Sequence, residues 1–235
     1  MNKVEEVISE LKKLADPVRA AHSQKFFKTG PGEYGEGDLF LGLRVPQTRK
    51  LVKTFRGLEL QAMEKLLQSK WHEARLFALL SMVDAFKRGS DKEKEGIFKL
   101  YTGNSDRVNG WDLVDSSAPH IAGAYLWDKN RQPLYDFAVS DSLWKRRIAI
   151  ISTQHFIRNN SFNDTLKIAD MLLDDKEDLI HKAVGWMLRE VGNRNTEREE
   201  KFLKLRYMKM PRTMLRYAIE KFEPGRRKMY LKGLI

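Results

Sequence analysis

A tryptophan and a carboxylate lie four residues apart in the segment 109–119, at Trp111 and Asp115. On a helix this spacing places both side chains on one face, one turn apart. An aromatic face beside a carboxylate can attract and stabilise positive charge. Asp112 lies about 100° around the helix from Trp111, and we expect it to cap the helix or face outward. Taken alone, the segment favours a simpler interpretation, a core tryptophan with an aspartate near a helix start.

A second tryptophan follows a glycine in the segment 180–190, which is otherwise typical of an apolar helix. Glycine destabilises a helix interior, so Gly185 predicts the close approach of a neighbouring element. Trp186 and Arg189 are three residues apart and share a face. Here too, the residues alone favour a tryptophan in the core.

The residue types exclude several other kinds of chemistry. The chain has no cysteine, which excludes disulfides, thiolate nucleophiles and thiolate-bound zinc. No pair of histidines has the HExxH spacing of a zinc site, and we therefore expect no metal and no cofactor. The histidines are His22, His72, His120, His155 and His181.

The chain is strongly basic. Lysine and arginine number 43 against 32 aspartates and glutamates, which gives a net charge of +11. Such a surplus indicates a polyanionic partner, nucleic acid first and an anionic membrane surface second; a basic protein without such a partner is the alternative. No apolar run approaches the roughly 18 residues of a membrane span, and the N-terminus alternates acids and bases, unlike a signal peptide. We expect a cytoplasmic protein.

Helical periodicity dominates the elements that must position these residues. Residues 4–14 predict an amphipathic helix, and Asp16-Pro17 predicts a break or a new start. Glycines and a proline in residues 29–38 cannot hold a helix and predict an irregular loop. The loop lacks the GxxxxGK[ST] pattern, so we do not interpret it as a nucleotide site. A further helix is predicted to start near Pro46.

From residue 46 onward, the sequence predicts pairs of helices at regular intervals. The second helix of each pair is predicted to begin near Trp71, Trp111, Trp144, Leu179 and Met210. The steps between these positions are 40, 33, 35 and 31 residues, close to the spacing of HEAT and armadillo repeats. The sequence therefore predicts an all-α protein, a curved α-solenoid of HEAT-like antiparallel helix pairs, with residues 1–235 in a single domain.

Basic residues recur on these second helices, and stacking would align them along the concave face as a strip that suits a duplex backbone. The alternative is that they form ordinary solvated helix faces. They are Arg75, Lys145, Arg146, Arg147, Lys182, Arg189, Arg212 and Arg216.

Five segments, taken in order, resemble the AlkD-like DNA alkylation repair glycosylases over nearly the whole chain. They are the glycine-rich 30–42, Trp-Asp-x-Val-Asp at 111–115, Arg147 in its helix, Ala-Val-Gly-Trp-Met-Leu-Arg-Glu at 183–190, and 210–222. Each segment is weak evidence alone, whereas all five in this order are specific.

The resemblance implies both a site and a substrate. Asp115 matches the catalytic carboxylate, Trp111 and Trp186 match the aromatic pair that flanks the lesion, and Arg147 matches the arginine that holds the nearby backbone. Substrates in this family are cationic N3- and N7-alkylpurines, excised without flipping the base into a deep pocket. Two departures put the range of lesions in doubt. Some members carry a second tryptophan at the position of Gly110, and near Phe26, which we take to contact the substrate, some carry a tyrosine.

We therefore expect a monofunctional alkylpurine DNA glycosylase that acts in base excision repair, a nucleoid-associated monomer bound to double-stranded DNA containing alkylated bases. The DNA backbone would contact Arg147 together with five further basic residues. Two alternatives remain: a non-catalytic DNA-binding relative, and a HEAT-like scaffold that binds proteins. The five further basic residues are Arg146, Lys182, Arg189, Arg212 and Arg216.

Overall fold

The protein, described here by a computed structural model over residues 2–235, consists of helices joined by turns and loops. Within that range the backbone forms no β-strand, and an isolated bridge joins Leu39 to Trp71. The predicted all-α class is confirmed. None of the described helices combines the length and apolar character needed to cross a bilayer. The chain separates into two compact units, one ending at Ser117 and one spanning Ala118–Ile235. A single domain over 1–235 stays a prediction.

The first unit contains seven α-helices in residues 2–117, with a 3₁₀ turn at Ser105–Arg107. They are α1 (Lys3–Lys13), α2 (Pro17–Phe26), α3 (Val45–Thr54), α4 (Leu60–Leu67), α5 (His72–Arg88), α6 (Asp91–Gly103) and α7 (Trp111–Ser117). The predicted break at Asp16-Pro17 is confirmed, because the Asp16 side chain accepts the N–H of Arg19 and caps α2. The irregular loop over 29–38 is confirmed as well.

Helix α5 is the core of the first unit. Its sequence is apolar on nearly every side, which is typical of a buried helix, and α3, α4, α6 and α7 pack against it. Its first turn is polar but also buried. There the Glu73 carboxylate accepts hydrogen bonds from the backbone N–H groups of 41–43 at 2.7 to 3.2 Å. Gly42 has a φ of +85°, and a Cβ there would lie 2.2 Å from the Asp16 carbonyl oxygen, so only glycine fits.

The second unit contains eight α-helices, together with a π-helical turn at Pro119–Gly123 and a 3₁₀ turn at Ile219–Lys221. They are α8 (Gln132–Ala138), α9 (Leu143–Ser152), α10 (Gln154–Arg158), α11 (Asn163–Met171), α12 (Asp178–Gly192), α13 (Thr196–Lys204), α14 (Arg212–Ala218) and α15 (Pro224–Lys232). Helix α12 is its centre and packs against α9, α11, α13 and α14.

The predicted starts of the second helices are confirmed to within two residues. The helices concerned are α5, α7, α9, α12 and α14, which begin at His72, Trp111, Leu143, Asp178 and Arg212. Helix starts are predictable here because each apolar periodic run follows a short polar or proline-containing connection.

The close approach predicted at Gly185 is confirmed. A Cβ at this position would lie 2.4 Å from the Met214 carbonyl oxygen and 2.5 Å from the Tyr217 Cβ, so α12 and α14 touch backbone to backbone. We expect Gly185→Ala to lower the free energy of unfolding by about 1–3 kcal/mol, because the helices must move apart. Urea unfolding measures this. Gly103→Ala is the matched control, because nothing lies within 4 Å of its Cβ position at the end of α6. Equal stability of the two variants would contradict the close packing.

Candidate active site

Helix α7 carries Trp111 at its first position and Asp115 one turn later. Both side chains are half-buried, whereas Leu113 and Val114 between them are fully buried. This difference in burial follows from the helix period, because Leu113 and Val114 lie on the side of α7 that packs against α5. The predicted common face of Trp111 and Asp115 is therefore only partly covered. Trp111 is not enclosed in the core.

Two phenylalanines of the first unit lie against Trp111. The ring of Phe27 stacks on the indole, with centroids 5.2 Å apart and planes inclined by 17°. The ring of Phe26 meets the indole edge at 6.0 Å and 72°, and 58% of Phe26 is exposed. We call Phe26, Phe27 and Trp111 the aromatic shelf. Aromatic faces of this kind attract cations and the flat rings of bases.

A network of charged side chains lies beneath the aromatic shelf. His72, only 2% exposed, contacts Asp38 through Nδ1 at 3.0 Å and Asp112 through Nε2 at 2.8 Å. Arg75 pairs with the other oxygen of Asp38, with Nη2 and Oδ1 2.6 Å apart. We call Asp38, His72, Asp112 and Arg75 the buried charge network. It joins the glycine-rich loop, α5 and α7.

The buried charge network corrects two predictions. Arg75 is 2% exposed and ion-paired with Asp38, so it is not part of a basic strip that faces DNA. Asp112 does not cap the helix or face outward; it faces His72 across the interface between α7 and α5. Both errors have one cause. A helical period gives the direction of a side chain around its own helix, but not the charge of the residue that another element brings against it.

His72 carries a positive charge at neutral pH. Burial lowers its pKa, but the Asp112 and Asp38 carboxylates outweigh burial and raise the pKa from 6.5 to about 9. The histidine therefore stabilises the fold fully below about pH 6.5, and this contribution is lost as the pH rises through about 9. A shift of this size corresponds to about 3 kcal/mol.

We expect the free energy of unfolding of the wild-type protein to fall between about pH 6.5 and pH 9.5 by about 3 kcal/mol more than that of His72→Gln. Urea unfolding at several pH values measures the difference, and the comparison cancels the contribution of groups that do not interact with His72. Parallel pH profiles for the two proteins would show that His72 is not a charged partner of the carboxylates.

The glycine-rich loop keeps its own N–H groups occupied. Glu33 accepts the N–H of Gly30, and Glu36 accepts the N–H of Gly32, both at 2.9 Å. These are the groups with which such a loop would hold a phosphate. The loop instead ends at Asp38 and delivers that carboxylate to His72.

In the second unit, Trp186 is half-buried on α12. Its indole N–H donates to Oε1 of Glu190, one turn along the helix, at 3.0 Å. This hydrogen bond fixes the orientation of the ring. Arg189 lies beside the same carboxylate and also pairs with Glu220. The role of Trp186 at a lesion stays a prediction.

Two arginines of α9 bind the chain that leads into α12. Arg146 pairs with Asp175, with Nε and Oδ2 2.6 Å apart, and also donates to backbone carbonyls of 140–141. Arg147 is 5% exposed, and its guanidinium donates to the Leu179 carbonyl. Both therefore stabilise the packing of their own unit. Their contact with a DNA backbone stays a prediction.

The other predicted backbone-binding residues differ in exposure. Lys182 pairs with Asp178 at 2.7 Å, and Arg189 is held by acidic neighbours as described above. Arg212 is exposed and donates to the Leu231 carbonyl. Arg216 is exposed and forms no ion pair with any residue of the described range. Arg216 is therefore the most available of these cations.

A sequence profile described as DNA alkylation repair enzyme matches residues 7–222. The chain belongs to this family. All predicted site residues lie within the matched range, and the predicted resemblance to AlkD-like proteins is confirmed. No curated protein matches the chain significantly.

Solved structures support the fold of the DNA alkylation repair enzyme. The chain is similar to a predicted DNA alkylation repair enzyme from Enterococcus faecalis, with a TM-score of 0.71 and 19% identity over 89% of this chain and 97% of the other. It is also similar to smu.31 from Streptococcus mutans UA159, with a TM-score of 0.52 and 17% identity over 90% and 98%.

Sequence reasoning missed three contributors to the site of this DNA alkylation repair enzyme. They are Phe27, which stacks on Trp111, and Asp38 and His72, which contact each other beneath the aromatic shelf. One signal was present: the first turn of α5 has polar residues at positions where the rest of the helix is apolar. Buried polar residues require partners, which only other elements can supply.

Proposed function

We propose that this DNA alkylation repair enzyme is a glycosylase that hydrolyses the N-glycosidic bond of cationic N3- and N7-alkylpurines in duplex DNA, without a cofactor. One observation carries the proposal: Asp115 lies one helical turn from Trp111, whose indole is part of a partly exposed aromatic shelf. The reaction presents two positive charges, one on the alkylated base and one that develops on the sugar. An aromatic surface can attract the first, and a carboxylate can stabilise the second.

The reaction needs few groups because alkylation has already activated the leaving base. An N3- or N7-alkylpurine carries a positive charge, so the base departs as a neutral molecule when it takes the electron pair of the bond to C1′. The sugar then develops oxocarbenium character, as in glycoside hydrolysis. The Asp115 carboxylate would stabilise that charge and orient the water whose oxygen bonds to C1′. The water loses one proton to the solvent, and an abasic site remains.

Selection of the lesion would rest on charge. A cationic base gains about 0.5–2 kcal/mol from each aromatic face that it contacts, and a neutral base gains less. Phe26 and Trp111 supply such surfaces in the first unit, and the exposure of Phe26 is compatible with contact from outside rather than entry into a pocket. Trp186 is proposed as a second aromatic contact on the basis of the family resemblance. The exposed Arg212 and Arg216 are proposed to contact the backbone, and Arg147 is proposed for the same role on the basis of the family resemblance alone.

The proposed reaction is monofunctional. A lyase would need an amine nucleophile at C1′, as in Schiff-base chemistry. The proposed site instead combines a carboxylate with aromatic rings, which supports hydrolysis by water.

Release of free base from a duplex with a single 7-methylguanine tests the proposal. We expect the wild-type protein to release 7-methylguanine, detected by mass spectrometry, and to leave an alkali-sensitive abasic site; the unmodified duplex is the control. Affinity for the duplex should fall steeply as salt rises. Salt-dependent binding without release of 7-methylguanine or 3-methyladenine would indicate a non-catalytic relative. The absence of salt-dependent binding would indicate a protein-binding scaffold.

A further inference from the structure

We propose that His72 is a positioning residue for the candidate active site: it holds the first turn of α7, and with it Trp111 and Asp115, through its contact with Asp112. The inference rests on the proposed function for its catalytic consequence. Its structural part, the placement of Trp111, is independent of any activity.

The contacts of His72 require the charged form of its ring. Both ring nitrogens face carboxylate oxygens, which accept but do not donate hydrogen bonds, so both nitrogens must carry protons. The raised pKa of His72 agrees with this state. The charged groups around it come from every neighbouring element: Asp38 from the loop, Asp112 from α7 and Arg75 from α5. The positive charge of Arg107, in the 3₁₀ turn, also helps to lower the pKa of Arg75.

Asp112 is placed where it can control the start of α7. It belongs to the first turn of a helix of seven residues, next to Trp111 and three positions before Asp115. A rotation of this turn about the helix axis would move the indole and the Asp115 carboxylate together. The 2.8 Å contact with His72 opposes such a rotation, because Nε2 is part of a ring that is buried in the core.

The packing around His72 reinforces the contact. The ring stacks on Phe40 at 4.5 Å and lies 5.2 Å from Phe27, which in turn stacks on Trp111. His72 thus touches α7 through Asp112 and supports the indole through Phe27. A Cβ at Gly110 would lie 3.0 Å from Oδ1 of Asp112 and 3.1 Å from Cε1 of His72, so the chain packs directly against this contact.

Two amide variants separate positioning from stability. In His72→Asn the amide nitrogen takes the place of Nδ1 and can still donate to Asp38, but α7 loses its partner. In His72→Gln the amide nitrogen takes the place of Nε2 and can still donate to Asp112. Both variants remove the same charge, so we expect similar losses of stability.

We expect His72→Asn to lower the single-turnover rate of 7-methylguanine release about 100-fold with unchanged affinity for duplex DNA, because a displacement of about 1 Å has an effect of that order. His72→Gln should lose much less. His155→Gln, at a half-buried histidine of the second unit, is the control and should keep the wild-type rate. Equal losses in His72→Asn and His72→Gln, or an equal loss in the control, would overturn the inference.

Fluorine NMR of protein labelled with fluorotryptophan gives a readout that needs no activity. The Trp111 resonance is assigned by its absence in Trp111→Phe. We expect this resonance to move much further in His72→Asn than in His72→Gln, because both variants lose the ring that packs on Phe27 but only His72→Gln keeps a donor to Asp112. If the wild-type protein releases no base, the proposed function fails, and the Trp111 resonance alone decides the inference. An unchanged resonance in His72→Asn, or equal movement in the two variants, would overturn it.

Discussion

Asp115→Asn is expected to slow the release of 7-methylguanine by about 10²–10³-fold, which corresponds to roughly 3–4 kcal/mol in the barrier. Asparagine keeps the shape of the side chain, so α7 and the aromatic shelf should be unchanged. The charge is lost, and with it the stabilisation of the oxocarbenium-like sugar. Single-turnover assays on a methylated duplex measure the rate, because product release then does not limit it.

The matched control for this variant is Asp91→Asn. Asp91 is a fully exposed carboxylate in the first turn of α6, and its loss changes the net charge of the protein by the same amount. Both variants should bind duplex DNA at least as tightly as the wild type, since each removes a negative charge. Undiminished release by Asp115→Asn would remove Asp115 from the catalytic role, whereas a matching loss in Asp91→Asn would trace the effect to net charge.

Arg75→Met is expected to lower the free energy of unfolding by about 3–5 kcal/mol. The guanidinium is buried and pairs with Asp38 at 2.6 Å. Its removal leaves the buried Asp38 carboxylate with less positive charge nearby to offset the cost of burying its own charge. Methionine fills most of the volume, which limits the contribution of a cavity. Urea unfolding at neutral pH measures the loss.

Arg88→Met is the matched control, because it breaks an arginine–aspartate pair on the same helix at the surface. Arg88 contacts Asp84 at 2.7 Å with half of its side chain exposed, and such pairs contribute about 1 kcal/mol or less. Asp38→Asn should lower the stability less in the Arg75→Met background than in the wild type, because the carboxylate has then already lost one of its two cationic partners, Arg75 and His72. Equal losses for Arg75→Met and Arg88→Met would show that burial does not strengthen the Asp38 pair.

The sequence predicted the helices and much of the candidate site, because those features depend on local spacing. The start of α7 at Trp111, the common face of Trp111 and Asp115, and the close approach at Gly185 all follow from the helix period and from glycine. Each involves residues within one element, or an unusual residue whose presence signals a neighbour.

The partners of charged side chains could not be predicted in this way. Asp38 and His72 are 34 residues apart, and His72 and Asp112 are 40 apart, on elements whose relative placement only the fold determines. Arg75 and Arg216 looked equivalent as basic residues on second helices. Arg75 is buried because the glycine-rich loop brings Asp38 against it, whereas Arg216 is exposed. A periodic charge pattern therefore does not separate structural cations from cations that are free to bind a partner.

The two ends of the glycine-rich loop contact the same core residue, His72. Phe27, just before the loop, and Asp38, at its end, both contact His72, and residues 41–43 are held by Glu73. The intervening stretch is thus an excursion between two anchored points, and its closure entropy changes only slowly with length. It is a natural place to insert a reporter peptide or to vary the length of the chain beside the shelf without disturbing α5 or α7.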